Sequence, residues 1–174
     1  MARLTPTVAA AGDLDTTDLV YLSTEGHREN YRSKLNAGDI VVVRTGAAGN
    51  ACVVPDSLDG ANCIDVLIVR RTQYIAPSFL EHVLNSDWTQ RQIEQHSVGS
   101  IQSHFNVSAL KALRVPRAPL AIQQKVAESL EAASARDRAL RERIARQVEL
   151  LREHRQALVT AAVSGQMSVP GVAA

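Results

Sequence analysis

Val115-Pro116-Arg117-Ala118-Pro119-Leu120 divides this chain into two regions of different character. Each proline lacks a backbone N–H and biases the residue before it away from helix, so a continuous helix cannot cross the segment. Downstream, neither Gly nor Pro recurs between Ala121 and Gly165, and Ala, Leu, Gln, Glu and Arg dominate. These are strong helix formers, and one long helix is the simplest reading. Alternating steps of four and three from Val126 reach Leu130, Ala133, Asp137, Leu140, Ile144, Gln147, Leu151, His154 and Leu158, a heptad seam with polar breaks. Roughly 44 residues at 1.5 Å each make a rod of about 65 Å, longer than the small preceding region can cover. Part of the apolar stripe therefore needs another helix. Asp137, Gln147 and His154 either select one register and partner orientation or mark wet positions where the seam opens, and the sequence leaves both open.

Upstream of the prolines, Gly38-Asp39 reads as a turn into Ile40-Val41-Val42-Val43, whose β-branched side chains suit a buried strand. Arg44-Thr45-Gly46-Ala47-Ala48-Gly49-Asn50 then forms a loop, and Ala51-Cys52-Val53-Val54 returns as the second strand of a hairpin. Residues 64–69 read as a further strand ending at Arg70-Arg71. Pro77 opens a helix that runs to Leu84, and after Asn85-Ser86 helix resumes over residues 88–96. The fold class expected is α+β: a small mixed domain over residues 1–117, a long helix over 118–166 and a tail over 167–174.

The 174 residues suffice for one core, which must be built from Val, Leu, Ile and Ala because aromatic residues make up 3% and hydrophobic ones 45%. The formal net charge of +1 gives no global basic signature, so any nucleic-acid contact must come from local patches. Cys52 and Cys63 lie outside any metal-ligand spacing, no secretory h-region precedes them, and no apolar run approaches the roughly 20 residues that span a bilayer. A reduced, cytoplasmic protein that leaves the membrane alone is expected.

Two loops hold candidate binding groups. Residues 44–50 can bring backbone N–H groups and the Arg44 guanidinium to a phosphate or a guanine edge, or can be a plain hairpin turn; no Gly-Lys-[Ser/Thr] follows, so this is not a phosphate loop. Residues 97–106 concentrate short hydrogen-bonding side chains, among them Gln102, of a type that reads adenine, and His104; Asn106 there is better explained as a helix cap. Arg70-Arg71 can hold phosphates, although paired basic residues more often form a solvated edge. No order or spacing of the five His and two Cys assembles a nucleophile with a base, and no methyltransferase motif of the Asn-Pro-Pro-Tyr type occurs. Catalysis is assigned elsewhere.

Three stretches carry a family resemblance: Leu35-Asn36-Ala37-Gly38-Asp39-Ile40-Val41-Val42-Val43-Arg44-Thr45-Gly46; the closing segment Val98-Gly99-Ser100-Ile101-Gln102-Ser103-His104-Phe105-Asn106, continuing to Pro116; and Pro119-Leu120-Ala121-Ile122-Gln123-Gln124-Lys125-Val126-Ala127, which opens the long helix. In order and spacing they resemble the specificity subunits of type I restriction-modification systems, in which two target recognition domains are joined by two long helices. One domain and one helix make this chain look like a half-subunit; residues 1–18 fit the pattern poorly, and a truncated or altered opening is expected. The resemblance implies a DNA-binding, non-catalytic subunit that binds double-stranded DNA through Arg44, Thr45, Gly46, Asn50, Arg70, Ser100, Gln102 and His104. It implies a homodimer held as an antiparallel coiled coil by Val126, Leu130, Leu140, Ile144, Leu151 and Leu158. The remaining partner implied is a DNA methyltransferase subunit, which binds the S-adenosylmethionine. A coiled-coil scaffold that has lost DNA recognition is the alternative.

Overall fold

The computed structural model describes residues 2–5, 8–10, 13–14, 20–45, 47–97 and 105–167. Its centre is the strand the sequence marks most strongly. β5 (Ile40–Val43) is buried at all four positions, and its two-residue period sends alternate side chains to opposite faces. Val41 and Val43 join Leu35, Val54, Leu58 and Cys63 on one side. Ile40 and Val42 join Leu84, Ile93 and Phe105 on the other. A strand buried on both faces reads as an unbroken apolar run, which is why four consecutive β-branched residues stand here. β6 (Ala51–Val53) and β8 (Val66–Val69) pair antiparallel with it, in the order β6-β5-β8.

The outer edge of β6 is closed by side chains. α2 (Pro77–Leu84) starts on its proline and ends at Asn85, whose Oδ1 accepts from the Ala51 N–H and whose Nδ2 donates to the Ala51 carbonyl, both at 2.8 Å. Glu81 accepts from the Val53 N–H at 2.9 Å. One amide and one carboxylate thus satisfy backbone groups that an open edge would offer to another strand. α3 (Asp87–Ser97) follows, and α4 (Val107–Ala112) begins at Asn106, whose side chain accepts from the Ala109 N–H as the expected cap.

The opening of the chain lies in a second sheet. β1 (Ala2–Thr5) pairs antiparallel with β4 (Val20–Leu22) and parallel with β7 (Asn62–Cys63), while β2 (Val8–Ala10) and β3 (Asp13–Leu14) form a separate ribbon. Of the segment that fits the family pattern poorly, β1 is therefore paired to β4 and β7. The strand expected over residues 64–69 is corrected: Asp65 has φ 56°, a conformation rare for a non-glycine residue, and the turn there hands the chain from β7 in one sheet to β8 in the other. Buried Asn62 anchors that junction: its amide donates to the Asn30 carbonyl and the Ser33 hydroxyl, and its oxygen meets His27 of α1 (Thr24–Glu29).

α5 (Leu120–Val163) is one 44-residue helix. It ends in a Schellman arrangement, with Gly165 at φ 73° donating to the Ala162 carbonyl and Gln166 donating to the Ala161 carbonyl. The chain divides into two compact units, Met1–Glu128 and Ser129–Ala174. The start of α5 belongs to the first because Gln123 and Ala127, one turn apart on one face, are both buried. Ala127 packs with Ala76, Phe79 and Val83. The Gln123 Oε1 accepts from the Ala76 N–H at 2.9 Å, and its Nε2 donates to the carbonyls of Tyr74 at 3.2 Å and Ala118 at 2.8 Å. Replacing Gln123 by Leu leaves those backbone groups without partners in an apolar setting, and each such group costs about 1–3 kcal/mol. We expect Gln123→Leu to lower unfolding free energy by roughly 3 kcal/mol in denaturant titration; a loss under about 0.5 kcal/mol would show that the amide does not hold the helix start.

Candidate nucleic-acid interface

The loop between β5 and β6 is tightly closed. Gly49, at φ 91°, donates to the Val43 carbonyl, and Asn50 donates to Ala47 and accepts from Val43 through its backbone. A Cβ on Gly49 would stand 2.3 Å from the Cδ1 of Ile93, so only glycine lets the loop press onto α3. Thr45 projects to solvent, Asn50 is half-buried, and Gly46 lies outside the described residues.

Arg44 leaves the end of β5 half-buried, and its carbonyl accepts from the Phe105 N–H at 3.0 Å. Phe105 is in turn sunk into the core beneath β5. The two candidate loops therefore meet at a backbone hydrogen bond, because residue 105 lies near the end of the second of them. Ser100, Gln102 and His104 lie outside the described residues. The Nε of Arg44 is buried and has no hydrogen-bond partner among the described residues. A buried N–H without a partner carries a desolvation cost that an incoming acceptor removes.

Arg70 stands elsewhere. The β5–β8 register pairs Val43 with Val66 and Ile40 with Val69, so Arg70 emerges beside Gly38 and Asp39, at the end of the sheet opposite Arg44. Its Nη1 donates to Asp39 at 2.6 Å and to the Lys34 carbonyl at 2.8 Å, and its Nη2 to the Arg32 carbonyl at 3.5 Å. This guanidinium is held by the fold, with its side chain still 47% exposed.

Asp39 is the hub that sequence reading passed over. It is 3% exposed at its side chain and also accepts from the Asn36 and Arg71 N–H groups, both at 3.0 Å. Burial alone would raise its pKa; the hydrogen bonds from Arg71, Arg70 and Asn36, with the Arg70 charge, outweigh burial and hold the carboxyl below the usual range. Gly38, at φ 80°, completes the turn that Asp39 closes by donating to the Asn36 carbonyl. The Gly-Asp pair was the sequence's only pointer to this role.

The seam residues of α5 are open. Val126, Leu130, Leu140, Ile144, Leu151 and Leu158 are between 38% and 67% exposed in the single chain. Asp137 on the same seam pairs within the helix with Arg141 at 2.7 Å. The cysteines are buried, and burial pushes the Cys63 thiol up to about 11, away from nucleophile chemistry. No group of three His, Cys, Asp or Glu suited to a metal ion occurs among the described residues, and no helix among them is long and apolar enough to cross a membrane.

No family model matches the chain. Over 166 residues, 90% of its length, it is 27% identical to the type I restriction enzyme StySPI specificity subunit of Salmonella potsdam and 26% identical to the EcoKI specificity subunit of Escherichia coli K12. The chain is similar to type I restriction specificity subunits. It spans 34% of the length of these two subunits. The HsdS subunit from Thermoanaerobacter tengcongensis shares the fold with a TM-score of 0.67 at 19% identity, covering 99% of this chain and 44% of that one. A structure addressing complex assembly and conformational transition of the type I restriction-modification system matches 80% of this chain and 36% of its own at a TM-score of 0.61 and 23% identity. The three stretches of resemblance fall on the Asp39 turn with β5, on Phe105 and α4, and on the Gln123 docking of α5.

Proposed function

We propose that the chain is a DNA-recognition half-subunit of a restriction-modification system, working in the cytoplasm. The Met1–Glu128 unit reads duplex DNA, α5 pairs antiparallel with α5 of a second copy, and the pair positions a DNA methyltransferase that holds the S-adenosylmethionine. The chain itself contributes recognition and assembly, and the chemistry belongs to the partner. The observation that carries this reading is the similarity to specificity subunits over 90% of the chain.

In this reading the bases are read at the Arg44 end of the sheet. Thr45 is exposed and Arg44 keeps an N–H with no partner among the described residues, while Gly46, Asn50, Ser100, Gln102 and His104 complete the reading from sequence. Co-expression with the methyltransferase subunit and mapping of methylated sites tests the whole. A complex that copurifies and methylates a defined sequence supports the proposal, whereas a chain that recruits no methyltransferase overturns it. Within that complex, Arg44→Ala should relax discrimination at one base pair by about 1–3 kcal/mol if the guanidinium reads a base edge. Unchanged affinity and specificity would remove Arg44 from the interface.

A further inference from the structure

The Gly38 end of the central sheet holds a group of cations that base reading does not use. The Arg70 guanidinium gathers the chain there by donating to the carbonyls of Arg32 and Lys34 and to Asp39. Arg71 follows directly, and its N–H is bonded to the other oxygen of Asp39. The backbones of residues 32, 34 and 71 are therefore drawn around one buried carboxylate, and their side chains are exposed. The Arg71 side chain lies over Gly38, and that of Lys34 passes Gly60, so both glycines leave room for a long basic side chain. Arg32 rests over the Tyr31 ring at 5.7 Å. The carboxylates hydrogen-bonded here, Asp39 and Asp59, are both engaged by backbone N–H groups. Beside them lies an open hollow of about 410 Å³ lined by Asn36, Ala37, Arg70, Arg71, Thr72 and Gln73, with the engaged Asp39 also on its wall.

We infer that Arg32, Lys34 and Arg71 form a phosphate-gripping face that holds the backbone of the duplex whose bases are read at the Arg44 end. This rests on the DNA-recognition reading above and names the surface that supplies its electrostatic part. Ion pairing occupies Arg70 and so presets the backbone, while the three neighbouring cations remain on the surface. Arg32 donates through its Nε to the Tyr31 hydroxyl at 3.2 Å, but none of the three is held in an ion pair among the described residues, and such exposed cations suit phosphates, which position a protein on DNA without specifying sequence. Residues 38 and 44 are separated by about 20 Å of extended chain, less than the roughly 34 Å of one duplex turn, so one DNA molecule can meet both ends. The near-neutral net charge of the chain is then no obstacle, because the positive charge is local.

The test is the full chain in complex with its methyltransferase, carrying Arg32→Gln, Lys34→Gln and Arg71→Gln together. Gln keeps the stem of each side chain over its neighbours, and melting temperature is measured alongside. Binding is followed across a salt series on a duplex bearing the mapped site and on a scrambled duplex of equal length. The expected result is weaker binding to both duplexes, an unchanged ratio between them, and a salt slope reduced by about 0.9 for each phosphate no longer neutralised. Unchanged affinity and slope on both duplexes overturn the face while leaving DNA recognition intact. A slope that stays while the ratio collapses overturns it too, by making these residues base readers. If the wild-type complex binds neither duplex, the underlying reading fails with it. Should the triple variant melt early, Lys34→Gln and Arg71→Gln singly must each reduce the slope for the face to stand.

Discussion

Asp39→Asn should cost the Met1–Glu128 unit about 3 kcal/mol. Asp39 accepts from Arg70, from the N–H groups of Arg71 and Asn36, and from the Asn36 amide. Asparagine keeps the shape but presents a donor where one of those oxygens stood, and it removes the charge opposite Arg70. Breaking a buried ion pair by removing one partner costs about 3–5 kcal/mol. The lower end applies because Arg70 is 47% exposed at its side chain and water can reach it once released. For a chain of this size the loss corresponds to a fall in melting temperature of roughly 6–12 °C.

The pH dependence has a defined sign. The folded-state pKa of Asp39 is lowered, so its contribution is fully present above the unfolded value of about 3.9 and is lost as pH falls below it through the folded value. The gap in stability between wild type and Asp39→Asn should therefore be full at neutral pH and narrow on acidification below about pH 4. Denaturant titrations of both proteins at neutral and acid pH measure it. Equal stability at neutral pH would remove Asp39 from the role given to it here.

Features that depend on neighbours in sequence were the legible ones. The β5 run, the hairpin loop, the proline start of α2, the interruption at Asn85 and the Asn106 cap each follow from a few adjacent residues. The long helix was legible because Gly and Pro are missing from it. Long-range polar contacts were not: Gln123 meets Ala76, 47 positions away, and Arg70 meets Asp39, 31 positions away. No local pattern announces such partners. β1 to β4 are two to four residues long, too short for a two-residue period to stand out, and they exist through pairing with distant β7 and with one another. The candidate site was half legible for the same reason. The hydrogen bond between Arg44 and Phe105 joins positions 61 apart that no local pattern links, and Arg70 was chosen by residue type, while only the strand register shows that it stands at the other end of the sheet.

Self-association through α5 carries the largest expected effect. Leu140 and Ile144 are 54% and 50% exposed in the single chain, one turn apart on the heptad seam. Pairing two copies buries both side chains twice, and Leu140→Asp with Ile144→Asp places four carboxylates in that interface instead. Forfeited burial of about 1.5–3 kcal/mol per large aliphatic side chain, with the cost of desolvating charge added, weakens the dimer by at least three orders of magnitude. The wild-type chain is expected to sediment as a dimer at micromolar concentration and the double variant as a monomer with its melting temperature little changed, because these seam positions belong to the Ser129–Ala174 unit and not to the domain core. If the pair is antiparallel and two-fold, the mapped methylation site should be an interrupted palindrome, its spacer set by helix length. Inserting one heptad into the seam lengthens the helix by about 10 Å, or about three base pairs of duplex, and the spacer of sites methylated by that variant should grow accordingly. A continuous asymmetric site, or a wild-type monomer at tens of micromolar, would refute the paired arrangement and leave α5 to find its cover on a different chain.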